Sequence, residues 1–127
     1  MNGCMLSRDF KDLQVWRKAM SVARQTYVLA KKLPREELFA LSDQMRRCAV
    51  SIPSNIAEGQ QRNGIGEFVQ FIGYAQGSRG ELQTQLLLAK DFGYFTEEEI
   101  EPLFNELEDI GKMLNALAKS LIQHPQN

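Results

Sequence analysis

Residues 96–121 read TEEEIEPLFNELEDIGKMLNALAKSL and contain the plainest helix signal in the chain. Thr96 is a good N-cap, and Glu99 three residues on completes a capping box, each side chain accepting from the other's backbone N–H. Glu97, Glu98 and Glu101 place negative charge near the positive end of the helix dipole. Leu103, Leu107, Ile110, Leu114, Leu117 and Leu121 then recur at alternating intervals of four and three, the period of one buried stripe. His124-Pro125 ends the segment. A helix with one apolar stripe must bury it against other elements, so matching stripes are expected elsewhere.

Three further segments have them. Breakers lie at Pro34, at Asn63-Gly64-Ile65-Gly66 and at Phe92-Gly93-Tyr94-Phe95-Thr96. The first helix is expected from Asp9 or Asp12 to Leu33, with a main stripe of Leu13, Trp16, Met20, Ala23, Tyr27 and Ala30. Val15, Val22 and Leu29 form a second apolar row. Together the rows cover roughly half of the circumference, more than one core needs. The second row is therefore expected at another contact, such as a subunit interface. The second helix is expected from Arg35 or Glu36 to Glu58, with its stripe at Leu38, Leu41, Met45, Cys48/Ala49, Ile52 and Ile56. Pro53 lies inside it and removes the partner of the Ala49 carbonyl, so a kink is expected. Ser51 and Ser54 are placed to satisfy freed backbone groups, and Gly59 reads as the C-terminal stop.

The third helix is expected from Gly66 to Phe92, with Phe68, Phe71/Ile72, Ala75, Leu82, Leu86 and Ala89 inward. Gly73, Gly77 and Gly80 cluster on the opposite side. Each costs up to ~1 kcal/mol relative to alanine inside a helix, so the three together predict a close approach by another backbone or a ligand. Four helices of about 22 to 27 residues with short connections give an all-α, antiparallel up-down-up-down four-helix bundle over residues 9–122. Residues 1–8 and 123–127 read as flexible tails.

The 127 residues suit one domain, and 43% hydrophobic with 24% charged residues is an ordinary globular balance. Met1 to Ser7 show no signal-peptide run, and the longest wholly apolar stretch, Leu86-Leu87-Leu88-Ala89, is far short of a membrane span. No membrane association and a cytoplasmic location are expected. Cys4 and Cys48 sit in unlike contexts and read as free thiols rather than a disulfide. One histidine in the tail, no Glu-x-x-His pairs and no phosphate loop argue against an enzyme, a metal centre or a cofactor. The aromatic residues lie on or beside the stripes, so they read as core rather than base-stacking platforms.

The charge is unevenly divided. Residues 1–63 hold 11 Lys+Arg against 6 Asp+Glu, whereas residues 64–127 hold 4 against 10. Arg17, Lys18, Arg24, Lys31 and Lys32 form a cationic face on the first helix. It reads either as a face neutralised by solvent or the acidic fourth helix, or as a phosphate-binding surface for RNA or DNA. Arg79 falls on the apolar stripe between Ala75 and Leu82. A buried guanidinium requires an acceptor, and an antiparallel turn near Tyr94 places Asp109 opposite, with Glu106 one turn away.

Three stretches resemble a known family. Asp9-Phe10-Lys11-Asp12-Leu13-Gln14-Val15-Trp16 looks like its opening motif, and Ser51-Ile52-Pro53-Ser54-Asn55-Ile56-Ala57-Glu58-Gly59 like its most distinctive one. The run from Gly77-Ser78-Arg79-Gly80-Glu81-Leu82 to Gly93-Tyr94 adds a third. They match the bacterial four-helix-bundle proteins named after open reading frames in 23S rRNA intervening sequences. The chain is also similar to accessory proteins of diversity-generating retroelements, which are pentameric bundles that bind nucleic acid and a reverse transcriptase. The resemblance implies a homopentamer and supplies no catalytic residues. The mildly acidic balance departs from the strongly basic retroelement relatives. The expected function is a non-enzymatic homo-oligomeric adaptor for RNA or DNA; the alternative is a protein-interaction scaffold with no nucleic-acid role. Pro53, Ser54, Asn55 and Glu58 are expected to shape the bend in the second helix rather than bind a ligand.

Overall fold

A computed structural model describes residues 9–124. The expected tail 1–8, which includes Cys4, and residues 125–127 lie outside the described residues. The order is a short 3-10 turn (Phe10–Asp12), α1 (Gln14–Ala30), a second 3-10 turn (Arg35–Glu37), α2 (Leu41–Gln60), α3 (Ile65–Asp91) and α4 (Glu97–Gln123). Each helix packs on the next and α1 closes on α4, so the four form a ring around one core. This is the expected all-α four-helix bundle.

The helix ends follow local chemistry. Thr96 Oγ1 accepts from Glu99 N–H at 3.2 Å and the Glu99 carboxylate accepts from Thr96 N–H at 2.8 Å, so the capping box is formed. α3 ends in a Schellman motif: Tyr94 N–H donates to the Ala89 carbonyl and Gly93 N–H to the Lys90 carbonyl, both at 2.9 Å. Gly93 takes φ +82°, the left-handed conformation that this reversal needs. α4 continues to Gln123, one residue past the expected boundary.

α2 starts later than expected. After α1 the chain turns through Leu33 to extended Pro34, and a 3-10 turn precedes the helix. Leu38 is consequently outside α2 and 42% exposed. The Glu37 carboxylate accepts from Leu41 N–H at 3.2 Å, at the start of α2, and from the Tyr94 hydroxyl at 2.8 Å. That second bond ties the α1–α2 connection to the α3–α4 turn at the same end of the bundle, as alternating helix directions require.

α2 runs without interruption through Pro53. Asn55 Nδ2 donates to both the Ser51 carbonyl and its hydroxyl at 2.8 Å, and Ser51 Oγ lies 2.7 Å from Ser78 Oγ on α3. The polar support around the proline therefore comes from Ser51 and Asn55. Ser54 is exposed, and Glu58 pairs with Arg62 at 3.6 Å.

Gly59 is not the stop of α2 but a buried contact inside its last turn. A Cβ there would lie 2.6 Å from Phe71 Cβ and 3.3 Å from the Phe68 carbonyl oxygen of α3. Gly77 differs, because a Cβ would meet nothing within 4 Å. Gly59→Ala is expected to destabilise the fold by about 1–3 kcal/mol through overpacking. Gly77→Ala is expected to stabilise the fold by up to about 1 kcal/mol. Denaturant unfolding of both variants at low protein concentration checks the opposite signs.

Candidate functional site

α1 decides which surface is available. Val15, Ala19, Val22, Thr26 and Leu29 are buried in the bundle's own core. The expectation that Val15, Val22 and Leu29 meet a second subunit is therefore corrected. The reason is the charge pattern. At about 100° per residue, Arg24 lies opposite Val15 and Lys31 opposite Val22, so pointing the valine row inward sends the cations straight outward. The Trp16–Met20–Tyr27 row is only about 20° to 80° from those cations. Facing the core with that row would drag charge inward, at high desolvation cost.

The surplus apolar surface is real but belongs to the other row. Trp16, Met20 and Ala23 are partly exposed, and Tyr27 is 43% exposed. Across the α1–α2 seam they meet Val50, Pro53 and Ala57, and these residues line an open groove of about 560 Å³. Arg24 and Ser54 form its polar margin.

The five cations are not equivalent. Arg17 is exposed and donates to the carbonyls of Lys11 and Asp12 at 3.2 and 3.3 Å, bracing the 3-10 turn. Lys18 turns toward α4 and lies 3.9 Å from both Glu106 and Asp109. Arg24, Lys31 and Lys32 are exposed and form no ion pair with any described residue. Lys18 thus belongs to the intramolecular α1–α4 seam, whereas the outward row is Arg17, Arg24 and Lys31, with Lys32 beside it. Gly73 and Gly77 are exposed and Gly80 is half-buried; a Cβ on any of them would meet nothing within 4 Å. Together they leave an open strip on α3, and no described residue makes the close approach their spacing predicts.

Arg79 is half-buried, but its partner is neither Asp109 nor Glu106. Nε donates to Gln76 Oε1 at 2.7 Å and Nη1 to Gln83 Oε1 at 2.6 Å, with Glu108 at 3.8 Å. Glu106 and Asp109 face α1 instead: Glu106 accepts from Gln25 at 2.9 Å and both lie near Lys18. Glu108 lies on the other side of α4, along the α3 seam. Gly111 makes the slot, since a Cβ there would be 2.7 Å from the Arg79 guanidinium carbon. Gln76 also donates to the Gly111 carbonyl and to Asn115 Oδ1, both at 2.9 Å. This polar seam escapes a reading based on apolar periodicity; the available signal was a glycine adjoining the α4 stripe.

Among the described residues no three His, Cys, Asp or Glu side chains gather as a metal site, and no helix is long and apolar enough to cross a membrane. Cys48 is buried and free, and burial pushes its thiol up to about 11, against a hydrogen bond from Gln85 that acts the other way. It is therefore a neutral thiol near pH 7, unsuited to nucleophilic attack.

Residues 11–116 match the model of the 23S rRNA-intervening sequence protein family. The chain belongs to that family. Its fold is similar to a crystal structure of a protein with unknown function from the S23 ribosomal protein family of Bacteroides thetaiotaomicron. That match has a TM-score of 0.77 and 29% identity, covering 83% of this chain and 98% of the other. No curated protein matches the sequence. The family assignment agrees with the motif resemblance, and the bundle with the expected fold.

Two predictions follow from the buried polar groups. Arg79→Leu is expected to be milder than Arg79→Ala, which should cost about 1–3 kcal/mol because Gln76 and Gln83 lose their donor and a void opens; thermal melts of the pair check the order. Cys48 has a folded-state value above its ordinary 9.0, so its contribution to stability is complete below pH 9 and is lost as pH rises toward 11. The stability of the parent should fall more steeply over that interval than that of Cys48→Ala, as measured by urea titration at each pH.

Proposed function

We propose that this protein is a non-enzymatic homo-oligomeric adaptor that buries its α1–α2 groove against further copies and carries RNA or DNA on the outward cations of α1. The observation that carries this reading is the juxtaposition on one helix of an unfilled apolar groove and an unpaired row of cations. Partly exposed Trp16, Met20 and Tyr27 have the composition of an interface core, and Arg17, Arg24, Lys31 and Lys32 would lie at its margin. Repetition of a modest charge around an assembly sums into a strong local field, which offsets the chain's net charge of −1. Five copies is the number that the family resemblance implies. The open glycine strip of α3 offers a second flat surface for the same assembly. The cytoplasm is the compartment that this reading assumes.

A protein-interaction scaffold without nucleic acid is the second reading. It is favoured by Lys18, whose charge is already answered by Glu106 and Asp109 within the chain.

Val50→Asp, at a half-exposed groove position, should shift the sedimenting species from oligomer to single subunit while leaving helicity unchanged. A parent protein that sediments as one subunit rules out the assembly. Combined Arg17→Glu and Arg24→Glu should weaken binding of a single-stranded RNA by about tenfold or more at low salt and flatten the dependence on salt. Fluorescence anisotropy across a salt series measures both. Affinity indifferent to the reversals leaves the scaffold reading, which pull-down after nuclease treatment then tests.

A further inference from the structure

Where α1 gives way to α2 the chain forms a second concavity, of about 360 Å³, at the end of the bundle. Lys31, Arg35 and Arg46 are set around it with Tyr27 and Ser42, and no Asp or Glu is among its lining residues. Lys31 and Arg35 are exposed, and their side chains form no ion pair or hydrogen bond with any described residue. Arg46 is held in place: Nε donates to the Ser42 carbonyl at 3.2 Å and Nη2 to the Leu38 carbonyl at 3.4 Å. Asp43 lies 3.9 Å from the same Nη2, outside the lining. Glu37, close in sequence, is committed to Leu41 N–H and the Tyr94 hydroxyl.

Ser42 gives the second, independent sign. It is 5% exposed, yet its hydroxyl has no hydrogen-bond partner among the described residues. That hydroxyl lines the concavity and is reached by solvent, so it is available to donate to a ligand acceptor there. Three cations and a spare donor, with no carboxylate in the wall, define a ligand that is anionic and rich in oxygen.

We propose that this concavity binds a terminal phosphate group. Lys31, Arg35 and Arg46 supply the charge, and the Ser42 hydroxyl donates to a phosphate oxygen. A terminal phosphate carries close to two negative charges at neutral pH, whereas a phosphodiester within a chain carries one, so the cluster favours the terminal group. Guanidinium groups match phosphate oxygens two at a time, and the Tyr27 ring offers an apolar face to whatever the phosphate is attached to. The site does not depend on the proposed adaptor function, which uses phosphates along the length of α1.

The test is a titration of the full chain at constant moderate salt, following the backbone amide of Ser42 by NMR. The probes are inorganic pyrophosphate and a dinucleotide with or without a 5′-phosphate. Saturable shifts are expected with pyrophosphate and the phosphorylated dinucleotide, with binding about tenfold weaker or worse when the 5′-phosphate is absent. Tighter binding of the phosphorylated dinucleotide than of pyrophosphate identifies a nucleic-acid end as the source. Equal binding identifies a free phosphate compound, and either result upholds the site. Lys31→Gln with Arg35→Gln removes no ion pair or side-chain hydrogen bond among the described residues and should weaken binding by about tenfold or more. Ser42→Ala should weaken it severalfold. Arg17→Gln with Arg24→Gln, which disables the α1 face, should leave pyrophosphate binding unchanged and so separates the two readings. Absence of saturable shifts at Ser42, or undiminished affinity in the Lys31→Gln and Arg35→Gln variant, overturns the proposal.

Discussion

The cost of bringing a cation into the core sets the rotation of α1, and the surfaces of the molecule follow from that rotation. With Arg17, Arg24 and Lys31 outward, the Val15–Ala19–Val22–Thr26–Leu29 face must point inward, where all five residues are buried. The bulkier Trp16–Met20–Tyr27 row then falls on the flank, where α2 covers it only in part. A groove, a basic ridge and a seam to α4 through Lys18 result from one choice of helix phase. Small and β-branched residues on the inward face also let α1 sit close to the other helices, which a tryptophan and a tyrosine there would prevent.

The opposite side of the bundle is organised by polar rather than apolar contacts. Gln76, Arg79 and Gln83 on α3 meet Gly111, Asn115 and Glu108 on α4. Hydrogen bonds to the side-chain amide oxygens of Gln76 and Gln83, rather than the 3.8 Å approach of half-exposed Glu108, satisfy the guanidinium. Such a seam specifies the sliding register of two helices more sharply than leucines do, because a shift of one turn would strand several donors at once. Gly111 is the shape element that admits it.

Between α2 and α3 the close approach is made by Gly59 against Phe68 and Phe71 near one end, and by Ser51 against Ser78 further along. Glu37 and Tyr94 tie the two connections at the other end. The core itself needs no unusual chemistry, apart from Gln85, which donates to Cys48 Sγ while its own carbonyl oxygen is left without a partner. The apolar groove, the basic ridge and the glycine strip of α3 all lie outside these contacts.

The sequence alone determined the elements that depend on neighbours in the chain: the Thr96–Glu99 capping box, the reversal at Gly93, the inward stripes of α3 and α4, and the count of four helices. It also revealed that α1 has more apolar circumference than one core can hide, and that Arg79 needs an acceptor. Tertiary structure decided which apolar row is inside, that Glu108 rather than Asp109 or Glu106 lies beside Arg79, and that Gly59 is a contact rather than a stop. It also brought Ser42, Arg35 and Arg46 around Lys31. The physical reason is that caps and periodicity act within a turn or two of helix, whereas rotation about the helix axis and register along it are settled by desolvation and hydrogen bonding between helices far apart in the chain.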